Sequence, residues 1–177
     1  MAAAMITPFI VTVPAHWNSS VQLKASSAPQ SASQRTVEGV WRTVVTPRNC
    51  QTGEALGPLV IRGLFTFHEG GTVSEFGVAP GSTPALRSPG HGVWQREHGW
   101  QDYSFAFIHN RYDATGAFLG TQVVRATLEL DGSGDALSTQ ATVRVFDAND
   151  ALIGTFCATA AGTVPTWCGS AAGCSAA

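Results

Sequence analysis

The side chains best suited to chemistry in this chain are an imidazole and a guanidinium two positions apart, His109 and Arg111, in a stretch that also carries Tyr103, Phe105 and Phe107. Side chains of an extended strand alternate between its two faces, so these five share one face and Ser104, Ala106, Ile108 and Asn110 share the other. The aromatic face is the better candidate for burial. A desolvated histidine can act as a general base, and an arginine suits an anionic group. With Glu75, the pair His109 and Arg111 could therefore hold a carboxylate or take part in acid–base chemistry. If the phase is reversed, the same residues are solvated and do neither. Tyr103 could donate a hydrogen bond to a ligand or merely satisfy a buried neighbour.

Other arrangements of reactive groups are missing from the sequence. There is no G-x-S-x-G nucleophile motif, P-loop or paired-carboxylate motif. The four cysteines, Cys50, Cys157, Cys168 and Cys174, form no C-x-x-C pair and have no histidine at zinc-finger spacing, so no metal site is implied. His91 and His98 are seven positions apart. On one strand that odd separation puts them on opposite faces, unable to share a metal. Haem ligation by His109 or His91 has nothing in its favour, and no cofactor is implied. Glu54, Glu69 and Asp113 sit in turns.

The elements that must position these groups are strands. Residues Gly39–Thr46, Leu59–Phe67, Thr72–Gly77, Val93–Glu97, Gln101–Tyr112, Phe118–Leu130, Leu137–Phe146 and Leu152–Ala161 are runs of strong β-formers separated by turn residues. No segment has a helical apolar period. Sequential strands with short turns make an up-and-down meander, and closing it removes both exposed edges. The fold expected is therefore all-β: a single eight-stranded antiparallel barrel over 37–163. A disordered segment, either a degenerate signal plus linker or a plain tail, precedes it at 1–36, and a flexible tail follows at 164–177.

The parity of a meander then assigns an open end. Arg48–Pro58, Val78–Gly92, Asp113–Ala117 and Asp147–Ala151 fall at one end; His68–Gly71, His98–Gly99 and Asp131–Asp135 fall at the other. Both long connections lie at the first end, which is expected to be the mouth, with Val78–Gly92 as a candidate lid. By strand direction Glu75, Phe76, His91, Val93, Trp94, His109, Arg111 and Phe146 approach it. The expected ligand-binding set is Glu75, His91, Trp94, Tyr103, Phe105, Phe107, His109 and Arg111. A Cys50–Cys157 bridge is topologically possible between the first and eighth strands if the closed barrel is staggered. Cys168 and Cys174 could pair within the tail.

Composition narrows the partners. Charged residues make up 12% of the chain, against about 25% in typical globular domains, and Lys24 is its only lysine. A net charge of −2 with no basic run argues against nucleic acid. No apolar stretch reaches the roughly 20 residues of a membrane helix. Met1–Ala15 is apolar and ends in Val13-Pro14-Ala15, like a signal cleavage site, but has no positive residue before it. A secreted or periplasmic protein and a cytoplasmic one both stay open, as does the oligomeric state.

At Gly39-Val40-Trp41 the first strand carries the G-x-W that opens lipocalin-like barrels. The stretches Thr46-Pro47-Arg48-Asn49-Cys50-Gln51-Thr52-Gly53, Thr66-Phe67-His68-Glu69-Gly70-Gly71-Thr72 and Arg87-Ser88-Pro89-Gly90-His91-Gly92-Val93-Trp94 also resemble bacterial lipocalin-like, calycin-type barrel proteins. The resemblance covers the eight-strand core and implies that Trp41 plugs the closed end. The chain departs from true lipocalins in lacking an arginine in Ala158–Thr163, and Asp102-Tyr103 matches their T-D-Y only in part. One function reading is a small hydrophobic or amphipathic molecule held inside the barrel, since an apolar cavity with few polar groups is the usual form of such a site. The alternative on the same scaffold is a cyclase or isomerase of the allene-oxide-cyclase or Diels–Alderase kind, acting on a hydrophobic substrate. A solid-packed barrel with an interaction role is the third reading.

Overall fold

The computed structural model describes residues 35–168. The expectations for the N-terminal segment up to Gln34, and the pairing of Cys168 with Cys174, lie outside the described residues. The eight strands are β1 (Gly39–Arg48), β2 (Ile61–His68), β3 (Thr72–Val78), β4 (Gly90–His98), β5 (Asp102–Tyr112), β6 (Phe118–Leu130), β7 (Ala136–Phe146) and β8 (Leu152–Thr163). Each pairs antiparallel with the next, and β8 returns to pair with β1 in a closed barrel. The β1–β8 ladder runs from Arg42 opposite Thr163 to Arg48 opposite Cys157. None of these eight strands is left as a free edge.

Two elements differ from the sequence pattern. Pro47 does not end β1: it sits opposite Ala158, with its ring buried, and its carbonyl accepts from the Leu56 amide. β4 starts at Gly90, three residues before the first β-former, Val93. Gly90 and Gly92 join the sheet because a side chain there has no room. A Cβ on Gly92 would lie 1.9 Å from the Ala106 carbonyl oxygen. The turn between β2 and β3 places Gly70 and Gly71 at φ of 85° and 86°, where other residues are strained.

The tight-turn end is sealed by apolar packing. Val37 and Trp41 are both 0% exposed, and the Trp41 Nε1–H donates to the Val37 carbonyl at 2.7 Å. Leu128, Leu130, Leu137 and Tyr103 complete this floor, and the Tyr103 hydroxyl donates to the Trp100 carbonyl. Outside it, Arg35 lies over the Trp100 ring and donates to the Gly132 carbonyl. At the other end the disulfide Cys50–Cys157 joins the loop after β1 to β8 across the closure seam, over a sequence separation of 107. The register supplies the stagger this bridge needs, because Cys157 pairs with Arg48, two residues before Cys50. In the chain-entropy account, closing a loop of that size stabilises the fold by about 4–5 kcal/mol.

Trp41→Ala removes the centre of the floor and leaves a cavity that neighbouring strands cannot collapse into. It should destabilise the barrel by about 3–5 kcal/mol. Urea titration followed by far-UV circular dichroism measures this, and a midpoint equal to the parent's would mean that Trp41 carries none of the closure.

Candidate functional site

Above the floor the barrel is filled unevenly. Four rings come from β2 and β5: Phe65, Phe67, Phe105 and Phe107. Phe65 and Phe105 meet edge to face at 5.5 Å between ring centres, and Phe67 and Phe105 at 5.6 Å. The opposite wall is small. One hydrogen-bonded ring of inward positions runs from Phe105 to Ala126, Ala141 and Ala158, then Pro47. Alanines cannot reach across to the phenylalanines, and a cavity of about 100 Å³ remains between them. Its lining includes Thr43, Phe65, Phe107, Val124, Ala141 and Ala158. The Thr43 hydroxyl is buried on this lining without a hydrogen-bond partner among the described residues.

The side of the cavity toward the long connections is charged. Glu75 points inward from β3 and is 7% exposed. Arg87, in the connection between β3 and β4, lies across it. The guanidinium Nη2 pairs with Glu75 Oε2, and Nη1 donates to Oε1 at 3.2 Å and to the Gly77 carbonyl at 2.9 Å. A 3-10 turn, Pro84–Leu86, capped by the Thr83 side chain, precedes Arg87. The Arg87 backbone then bridges to Arg111 on β5. Glycines make space for this pair. A Cβ on Gly90 would lie 2.8 Å from Glu75 Oε2, and one on Gly77 3.1 Å from Oε1. Burial raises the Glu75 pKa, and the opposing pull of Arg87 does not cancel it.

His109 lines the same cavity and is 5% exposed. Its Nδ1 lies 3.1 Å from the Asn110 carbonyl. A carbonyl only accepts, so Nδ1 carries the proton and Nε2 is left as an acceptor. Burial, then the charge of Arg87, lowers the imidazole pKa to about 4, with Arg111 adding to the effect. The ring is therefore neutral at physiological pH. Arg111 follows on the same inner face of β5. Its Nη1 is buried without a hydrogen-bond partner among the described residues.

The structure brings Glu75, Phe105, Phe107 and His109 together around one cavity. Tyr103 is inward but lower, in the floor, with its hydroxyl already bonded. Three positions differ from the sequence expectation. Arg111 is half-buried at the end of β5 and does not line the cavity. His91 is exposed on the outer face of β4, opposite Ile108, because the inward places on this part of the strand are Gly90 and Gly92. Trp94 is inward but belongs to the tight-turn half: its Nε1 donates to the His68 carbonyl at 2.9 Å, and its ring meets Phe67 and Tyr103. Arg87 is the group that strand periodicity missed, because period two says nothing about a residue in a loop. The readable signal was indirect: it is the only arginine in Val78–Gly92, with one glycine just before that segment at Gly77 and another within it at Gly90. Among the described residues no group of three or more His, Cys, Asp or Glu could hold a metal ion, and no helix is long and apolar enough to cross a membrane. No protein-family model matches the chain, and no curated protein matches it.

A histidine held neutral in the fold makes stability depend on pH with a definite sign. Between about pH 6.5 and the native value near 4, the unfolded chain takes up a proton at residue 109 that the folded chain refuses. Stability contributed at this site is thus complete above that window and falls as pH falls through it, by on the order of 2–3 kcal/mol. Glu75, with its pKa raised, works in the opposite direction at acid pH. The comparison must therefore be between parent and His109→Gln. The parent should lose stability relative to the variant as pH is lowered from about 7 to about 4.5 in denaturant titrations. A difference that stays constant over that range would show that the ring is not buried as a neutral group.

Proposed function

We propose that the barrel is a binding protein for a small, mostly apolar molecule held between the phenylalanines of β2 and β5 and the alanines of β6–β8. The observation that carries this reading is the unfilled space below the Glu75–Arg87 pair. Wider side chains on β7 and β8 would have packed the interior solid. Ligand sites are typically apolar hollows with a few polar groups at one side, which is the composition here. At about 100 Å³ the cavity is smaller than the roughly 150 Å³ that accommodates benzene. A larger ligand needs this interior to widen, and Arg87 is the lining residue that is not held in a strand. The lipocalin-like resemblance of the G-x-W strand supports the same role. The Cys50–Cys157 bridge supports a secreted or periplasmic setting, since such bonds persist in oxidising compartments.

A second reading has one observation in its favour. A neutral His109 with a free Nε2, facing an apolar cavity, is poised to accept a proton from a substrate, as a barrel isomerase or cyclase would require. The two readings separate on His109→Gln, which would abolish turnover in an enzyme and leave binding in a carrier.

Filling the cavity tests the role directly. Ala141→Leu places methyl groups in the empty space, and Ala106→Leu makes the same change on the outer face. Native mass spectrometry and titration with environment-sensitive apolar probes should find binding in the parent and in Ala106→Leu, and none in Ala141→Leu. The melting temperature of Ala141→Leu should equal or exceed the parent's. Binding that survives in Ala141→Leu, or is absent from the parent, would rule out the interior site.

A further inference from the structure

We propose that the ligand carries a hydroxyl group, which donates to His109 Nε2 and accepts from the side-chain amide of Gln122. The proposal rests on the binding role above and adds the chemistry of the head group. Its first support is geometric. His109 on β5 and Gln122 on β6 stand directly opposite each other in the β5–β6 ladder, and both line the cavity. Gln122 is two residues before buried Val124 and shares its inward face. Opposed residues of an antiparallel pair have Cβ atoms about 4.5–5.5 Å apart, so one ligand atom can reach both side chains. No hydrogen bond joins the two, and neither His109 Nε2 nor the Gln122 amide has another partner among the described residues. Neither is sealed in protein, as the unpartnered Thr43 hydroxyl and Arg111 Nη1 are.

The second support is chemical. With the proton on Nδ1, Nε2 only accepts, while the Gln122 amide offers N–H donors. A hydroxyl is the smallest group that gives one hydrogen bond and receives another at a single atom. Other heads fit worse. An ether or a carboxylate brings no proton to Nε2. A carboxylate also needs a cation, and Arg87, the cation that lines the cavity, is spent on both Glu75 oxygens and the Gly77 carbonyl. An ammonium brings a charge that Glu75 cannot meet, because Arg87 already holds it. The carbon skeleton behind the hydroxyl continues into apolar space, since Phe107 and Val124 are the next inward pair of the same ladder.

The test uses probes matched in shape, with and without the hydroxyl: 1-butanol with 1-fluorobutane, and phenol with fluorobenzene, with benzoate as the anion. Each is titrated by amide chemical shifts into the full chain with its disulfide intact. The readout is the ratio of affinities within a pair, because a change of cavity size acts on both members alike. The parent should favour the hydroxyl member of each pair roughly tenfold and bind benzoate least. His109→Phe should lower that ratio by about the same factor, and Gln122→Met should lower it in part. Gln140→Met, on the outer face of β7, should leave it unchanged. The His109 Nε2 ¹⁵N resonance should move upfield with phenol and stay in place with fluorobenzene. Circular dichroism establishes that each variant is folded, and should His109→Phe fail to fold, Gln122→Met and the Nε2 resonance still decide. Fluorinated probes that bind the parent as tightly as the alcohols, benzoate that matches phenol, or a folded His109→Phe that keeps the ratio overturns the hydroxyl assignment and leaves the interior site standing. A parent that binds none of the probes overturns the assignment too, and the interior site then falls with it only if Ala141→Leu also gains no stability.

Discussion

Closure of β8 onto β1 is the constraint on which everything else in this molecule depends. Once eight strands are joined edge to edge, the volume inside is set by strand number and stagger, and the inward side chains either fill it or leave space. The lower half fills it. Trp41, Tyr103, Leu130 and Leu137 occupy the full width, and Val37 follows the chain in underneath. The upper half does not, because the phenylalanines of β2 and β5 face Ala126, Ala141 and Ala158 across the barrel. The hollow is therefore not a defect of packing at one residue. It results from a whole hydrogen-bonded row of small side chains, which no rotamer change in the neighbours can fill.

The same closure explains why so much of the fold could be read from the sequence. A strand buried on one face repeats every two residues, and β5, β6 and β7 show that alternation cleanly enough for Tyr103, Phe105, Phe107 and His109 to be assigned inward. Parity of the meander put the long connections at one end, and the Cys50–Cys157 bridge followed from the neighbourhood of β1 and β8. The failures occurred where alternation is silent. Gly90 and Gly92 have no side chain to betray a strand, so β4 seemed to begin too late and His91 was counted with the binding set. Trp94 faced the right way, but how far along the barrel it sat depended on a register that only the structure reveals. Arg87 was invisible for another reason: its partner, Glu75, is 12 positions away, and no local pattern links a loop arginine to a strand glutamate.

Electrostatics at the mouth are coupled. A guanidinium that neutralises Glu75 also raises the potential at His109, and burial acts on both groups by penalising their charged forms. The carboxylate keeps a cation beside it, and the imidazole is the group that gives up its charge. The outcome is an ordered set of partners: a buried ion pair, a neutral acceptor and a partly buried cation, within a few residues of one another on β3, β5 and the connection between β3 and β4. Each role follows from the others. Removing Arg87 would leave Glu75 buried without a counter-charge, which typically costs 3–5 kcal/mol, and would relax the pressure on His109.

Stability alone does not account for this arrangement. A buried ion pair must recover the desolvation of both groups, and well-packed apolar residues of similar volume often do as well or better. The floor of this barrel demonstrates the alternative, since Val37, Trp41 and Leu130 seal it with no charge at all. A chain that needed only to close its second end could have used the same means. Instead it places a carboxylate against aromatic rings, has glycine at 77 and 90 where a side chain would crowd it, and covers it with an arginine from the connection between β3 and β4. The two ends of one barrel thus solve the same physical problem in opposite ways. An apolar plug has a single favourable state. An ion pair between a strand and a loop keeps two charged groups that water or another ion can also satisfy, which no part of the apolar plug can.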